Sequence, residues 1–193
     1  VRLFRTSFNE AYAVLPVHRH NEVCKLSSQT FKQFVSRQVY LDSKKVPATS
    51  VINEAVQVLT GTALYDTNVP THEVHVRVAR LDGKVYVDLA NEEWQVVEID
   101  EDGWKVLNQS PVMFVRSNSM LPLQTPECGG SLDEIRGLVN CGNDDDFLLM
   151  CGWIVGAFKP EGPFPILCAH GEQGSGKSTT CELLRSLIDP SET

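Results

Sequence analysis

HGEQGSGKSTTCELLRSLIDP, His170 to Pro190, is the stretch on which the reading of this chain turns. Gly171, four intervening residues, then Gly176-Lys177-Ser178 fit G-x-x-x-x-G-K-[ST], the phosphate-binding P-loop pattern. Each residue type has a chemical reason to be there. Glycines let the backbone curl until successive N–H groups face one anion. The helix that follows presents free N–H groups and the positive end of its dipole to the same anion. Lys177 supplies a point charge for the β- and γ-phosphates, and the Ser178 hydroxyl supplies one ligand to Mg²⁺. The candidate ATP-phosphate residues are therefore Gly171, Glu172, Gln173, Gly174, Ser175, Gly176, Lys177, Ser178 and Thr179, with Ser178 also the candidate metal ligand.

At ordinary glycine usage of about 7%, a chance match in a chain of this length arises roughly once in a hundred. The flanks reduce that further. PFPILCAH reads as a short buried strand, with the apolar run Ile166 to Ala169 bounded by proline and glycine. KSTTCELLRSLI reads as a helix with Leu183, Leu184, Leu187 and Ile188 on one side, closed by Asp189-Pro190. Strand, loop and helix is the order that an α/β P-loop core requires.

The chain has 193 residues, 42% of them hydrophobic and 22% charged, a composition that excludes a disordered polymer. Its net charge of −8 is uneven. Residues 1–90 carry 11 Lys and Arg against 8 Asp and Glu; residues 91–193 carry 6 against 17. An acidic second half is a poor general nucleic-acid surface, which needs clustered cations. The six cysteines show no C-x-x-C pair and no zinc spacing. Cys151, Cys168 and Cys181 lie in apolar runs and read as buried, reduced thiols of a cytoplasmic protein. No signal peptide is visible, and the longest apolar run, Phe147 to Phe158, is too short for a bilayer. It reads instead as a buried helix with Asp144, Asp145 and Asp146 at its positive end.

Upstream, AYAVLPV and EVCKL read as a hairpin, and SQTFKQFVSRQVY and TSVINEAVQVLTG as amphipathic helices, the second stopped at Gly61. EVHVRVARLDGKVYVDL and EWQVVEIDEDGWKVL alternate about Asp82-Gly83 and Asp102-Gly103, predicting an antiparallel meander over about 73–116 that PVMFV completes. Trp94 and Trp104 read as its core anchors, and Arg77, Arg80 and Lys84 as a solvated face. Ser131 to Glu134 is a capping box for a helix burying Leu132, Ile135, Leu138 and Val139. The loop around Pro122, Pro126, Gly129 and Gly130 is the expected boundary between an accessory α+β domain, 1–125, and a lead-in plus P-loop NTPase start, 126–193. His18, His20, His72 and His75 read as solvent-facing or capping histidines, not zinc ligands, and His170 as a packed strand-end histidine.

LVNCGNDDDFLLMCGWIVGAFKPEGPFPILCAHGEQGSGKSTTCELLRSLIDP, with VHVRVARLDGKVYVDLANEEWQVVEIDEDGWKVL and PVMFVRS, resembles a family of bacterial and phage-type P-loop ATPases. These occur on mobile elements and are associated with primase and superfamily 3-like helicase functions. The resemblance implies ATP and Mg²⁺ as ligands, a role in DNA replication, and single-stranded DNA or a primase as partner; self-association as a homo-oligomer is a further expectation. Only Gly171 to Thr179 carry the family's functional motif. Three residues follow Pro190, so the expectation is a segment of a longer ATPase that grips phosphates without hydrolysing ATP alone. A small-molecule kinase, or a docking and oligomerisation module joined to an ATPase, are the alternative readings.

Overall fold

Strand alternation in the first thirty residues sorts two faces. In the computed structural model, which describes residues 1–192, β1 (Arg2–Arg5), β2 (Ala11–Val17) and β3 (His20–Lys25) form an antiparallel sheet in the order β1-β2-β3. Ala11, Ala13 and Leu15 of β2 point to one side, Tyr12 and Val14 to the other, as a period of two requires. The first side is covered by α1 (Gln29–Ser43) and α2 (Thr49–Tyr65), which bury Phe31, Ile52, Val56 and Ala63 against it. The Ser28 hydroxyl caps α1 by accepting from the Phe31 amide at 3.2 Å. Gly61 does not stop α2, which runs four residues further. Burial of Ala63 on the sheet outweighs the roughly 1 kcal/mol that a helical glycine costs.

The second side of the sheet meets β4 (Val74–His75), which pairs in parallel with β9 (Met113–Phe114). These segments make one compact unit, 1–76 with 108–116. PVMFV is thus a strand, but it belongs to this unit and not to the meander. The meander proper is β5 (Val78–Leu81), β6 (Lys84–Asp88), β7 (Val96–Asp100) and β8 (Gly103–Leu107), in that order and all antiparallel. Val74, Val76 and Val78 keep one alternation, yet the chain changes sheets at Val76, which is 59% exposed. A period of two is blind to such a break, because the next strand can resume in phase.

The second compact unit, 77–107 with 117–193 in sequence, holds the meander and the glycine-rich segment 171–176. Val87, Leu89 and Val97 pack with Val78, Val85, Val106, Leu123 and Phe158. A short 3₁₀ helix, Leu132–Gly137, starts at the expected capping box, but Leu132 and Leu138 stay exposed while Ile135 and Val139 half-bury. Six residues give too few turns for one continuous apolar stripe. Then come α3 (Asp144–Ala157), capped by Asn143, and α4 (Lys177–Ile188). In α3 Phe147, Met150, Cys151 and Ile154 are buried, whereas Leu148, Leu149 and Val155 are exposed, so one face alone is covered. Ile166 to Ala169 form no strand, and Ile166 is 93% exposed. An apolar run becomes a strand only when a neighbour takes its N–H and C=O groups, and no described residue does so here. The architecture is α+β with antiparallel sheets, and no described helix is long and apolar enough to cross a membrane.

Several side chains sit otherwise than their sequence surroundings suggest. Cys168 and Cys181 are exposed, and Trp104 is 42% exposed at the meander's edge, while Trp94 lies half-buried in the β6–β7 connection at φ +57°. Arg77, read as a solvated cation, is buried. Its Nε donates to Asp189 Oδ1 at 2.9 Å, Nη1 to the Asp88 carbonyl at 3.0 Å, and Nη2 to the Leu121 carbonyl at 3.0 Å and the Pro190 carbonyl at 3.5 Å. Nearby, the Leu121 amide donates to the Pro190 carbonyl, and Glu192 to Ser119. The meander is thereby joined to the end of α4.

Arg77→Ala removes the guanidinium donor from the Asp88 and Leu121 carbonyls and the partner of Asp189, and is expected to destabilise the second unit by about 2 kcal/mol. Asp189→Ala costs less, because the guanidinium keeps its carbonyl acceptors; urea unfolding of both variants checks the ranking. A second expectation concerns acid. Lys105, Lys84 and Tyr86 donate to Glu98 and hold its carboxyl down at about 2, below its ordinary 4.5. A depressed carboxyl stabilises fully above the ordinary value and loses that contribution as pH falls toward the depressed one. Wild-type stability is therefore expected to drop between about pH 4.5 and 2, and Glu98→Gln to flatten that drop in urea titrations.

Candidate phosphate-binding site

The loop begins where Gly171 turns at φ +154° and continues through Gly174 at +82° and Gly176 at +83°. Side chains rarely adopt such backbone, so glycine is what permits this path. Glu172, Gln173 and Gly174 form the exposed tip, closed by the Ser175 amide donating to the Glu172 carbonyl at 3.3 Å. Gly176 is the N-cap of α4, and its carbonyl accepts from Thr180 at 2.9 Å. Lys177, Ser178 and Thr179 are the first helical residues, whose amides have no acceptor within the helix. Those donors and the helix dipole make this end attractive to an anion.

Lys177 folds back over the loop that precedes it. Its Nζ donates to the Gly171 carbonyl at 2.9 Å, the Glu172 carbonyl at 2.6 Å and Ser175 Oγ at 3.2 Å. All three acceptors are neutral, and no carboxylate pairs with Lys177 among the described residues. The ammonium therefore fastens the loop into a ring while its charge stays unneutralised. A phosphate oxygen, being anionic, is a stronger acceptor than these carbonyls and can compete for the same cation.

Ser178 and Thr179 are exposed on the first turn of α4. For Mg²⁺ the chain offers the Ser178 hydroxyl, which fits that ion's habit of keeping waters and taking few protein ligands beside substrate phosphates. No group of three or more His, Cys, Asp or Glu among the described residues is arranged to hold a metal by itself. His20 lies 3.1 Å from Glu22, His72 stands edge-on to Phe4, and His75 edge-on to Phe114. His170 is exposed, not packed, because the segment before the loop forms no strand to pack it.

Sequence spacing gave no sign of Asn140, which lies 35 positions before Ser175 and donates from Nδ2 to its carbonyl at 3.4 Å. Nor did it mark α3 as a neighbour. Phe147, Met150, Cys151 and Ile154 pack with Leu184 of α4 and with Leu167, so α3 is braced against α4. Trp153 Nε1 donates to the Pro165 carbonyl at 2.9 Å, anchoring the approach to the loop. A cleft of about 820 Å³ lies between α3, residues 165–171 and the start of α4.

Comparison with protein-family models, with curated proteins and with solved structures finds no match to this chain. The site is therefore argued from its own geometry.

A Cβ on Gly171 falls 2.9 Å from Ser175 Oγ, which is itself in contact with Lys177 Nζ, whereas a Cβ on Gly174 meets nothing within 4 Å. Gly174→Ala is expected to cost only its left-handed backbone, roughly 1–2 kcal/mol. Gly171→Ala adds displacement of the Ser175 hydroxyl, and Ser175→Ala in that background relieves the added part. A double-mutant cycle in urea, read with the amide shifts of residues 171–177, measures the coupling.

Proposed function

We propose that residues 171–179 bind the phosphates of ATP, with Lys177 as the phosphate-gripping cation and Ser178 as a Mg²⁺ ligand. The observation that carries this reading is one ammonium curled over a loop with left-handed Gly174 and Gly176, opening directly into a helix N-terminus. Each part alone is common. Together they put the first-turn amides of a helix, its dipole and a cation with no carboxylate partner among the described residues at one place, which is what a triphosphate tail needs.

On binding, the γ-side oxygens take hydrogen bonds from Lys177 that the Gly171 and Glu172 carbonyls otherwise accept. The tail then meets the amides of Lys177, Ser178 and Thr179 at the start of α4. Mg²⁺, when bound, would neutralise phosphate charge, and the Ser178 hydroxyl would be its ligand from this chain. Nothing in this scheme hydrolyses the nucleotide. The reading extends, on the family resemblance, to an ATPase of DNA replication with helicase- or primase-associated action and single-stranded DNA as a partner.

Calorimetric titration with ATP and Mg²⁺ tests the core of the proposal. Lys177→Ala removes a charge-assisted contact and is expected to weaken binding by about 10- to 100-fold. Ser178→Ala is expected to weaken binding with Mg²⁺ present while leaving affinity in EDTA unchanged. Equal affinity for wild type and Lys177→Ala overturns the site. ATP turnover indifferent to single-stranded DNA counts against the replication motor while leaving phosphate binding intact.

A further inference from the structure

The phosphate loop is only one wall of the 820 Å³ cleft. Ser175, Lys177 and Thr180 contribute from the loop and the first turn of α4. The rest of the lining is mainly apolar, Leu148, Leu149 and Trp153 from α3 with Ile166 from the approach to the loop, and Asn140 and Asp146 are its polar side chains before α3's apolar run. Leu148 is 70% exposed, Leu149 73% and Ile166 93%, so this wall leaves large side chains in water. An inorganic phosphate or triphosphate has no use for such a surface. A molecule that is anionic at one end and flat and apolar at the other matches both walls at once.

We infer that the cleft beside α3 receives the nucleoside half of a nucleoside triphosphate, with Leu148, Leu149 and Trp153 as the surface facing the base. This deepens the phosphate-loop reading and rests on it. The volume lies within the range of about 300–1,000 Å³ usual for small-molecule sites, enough for base and ribose beside the loop. The α3 wall is held in register because Phe147, Cys151 and Ile154, which do not line the cleft, pack with Leu184 of α4. One helix thus braces the phosphate grip with one face and offers its exposed face to the base. Gly152 stands on that wall, and a Cβ placed on it meets nothing within 4 Å. The absence of a side chain there leaves room that a ring can occupy.

Inorganic tripolyphosphate separates the two halves of the site, since it presents the phosphate chain without a nucleoside. For wild type, ATP is expected to bind on the order of tenfold or more tightly than tripolyphosphate, both with Mg²⁺, as base stacking and burial add to phosphate contacts. Gly152→Phe fills the cleft and replaces a helical glycine, so folding stability should hold or rise. It is expected to leave tripolyphosphate affinity unchanged and bring the ratio of the two affinities close to one. Leu149→Gln, at an exposed position, should reduce the ratio partway by the same route. Failure of tripolyphosphate to bind wild type overturns the phosphate-loop reading and this inference with it. If tripolyphosphate binds but ATP gains nothing over it, or Gly152→Phe keeps the full gain, the nucleoside compartment alone is overturned.

Discussion

A buried guanidinium must find acceptors, and in the second unit Arg77 finds them in three separate pieces of chain. Asp88 is at the end of β6, Leu121 in the loop beyond the meander, and Asp189 and Pro190 just past α4. The apolar contacts of β5–β8 give the meander a core but do not say where the far end of α4 belongs. Arg77 says it, through directed hydrogen bonds whose loss leaves carbonyls unsatisfied. Because a helix is stiff, setting its last turn also constrains its first, and the glycine-rich loop 171–176 is attached to that first turn.

At that other end, Lys177 works in the opposite manner. Arg77 has its charge placed among partners from distant segments, whereas Lys177 has neutral acceptors drawn from its own loop. One cation organises the unit; the other is available to an anion. The acidic character of residues 91–193 makes this contrast sharper, since 17 carboxylates in that half leave Lys177 unpaired. The electrostatics of the loop are set by its own geometry, with no help from the surrounding net charge.

Legibility from sequence followed the range of the interaction concerned. The hairpin β2–β3, α1, the Asp82-Gly83 and Asp102-Gly103 turns, the capping box at Ser131 and the start of α3 after Asn143 are all specified within a few residues. Each was readable for that reason. The pairing of Val74 with Met113, the burial of Arg77 and the contact of Asn140 with Ser175 join residues 35 or more positions apart. No local pattern announces them. Ile166 to Ala169 show the same limit from the other direction: apolar and β-branched residues give strand propensity, but a strand exists only where another strand accepts its hydrogen bonds.

Taken alone, the sequence determined the glycine-rich turn and the helix that opens at Lys177, because the glycine spacing acts over eight consecutive residues whose backbone can curl only in a few ways. It also determined most of the helices and the two hairpin turns at Asp82-Gly83 and Asp102-Gly103, which are local, but not the extent of the meander, which spans 78–107 and leaves out PVMFV. Tertiary structure alone decided that α3 stands beside the loop with an apolar face exposed, that a buried arginine ties α4 to the meander, and that PVMFV joins the first unit. Those outcomes depend on which distant groups compete for one surface or one donor, and such competition is settled only when the chain is packed.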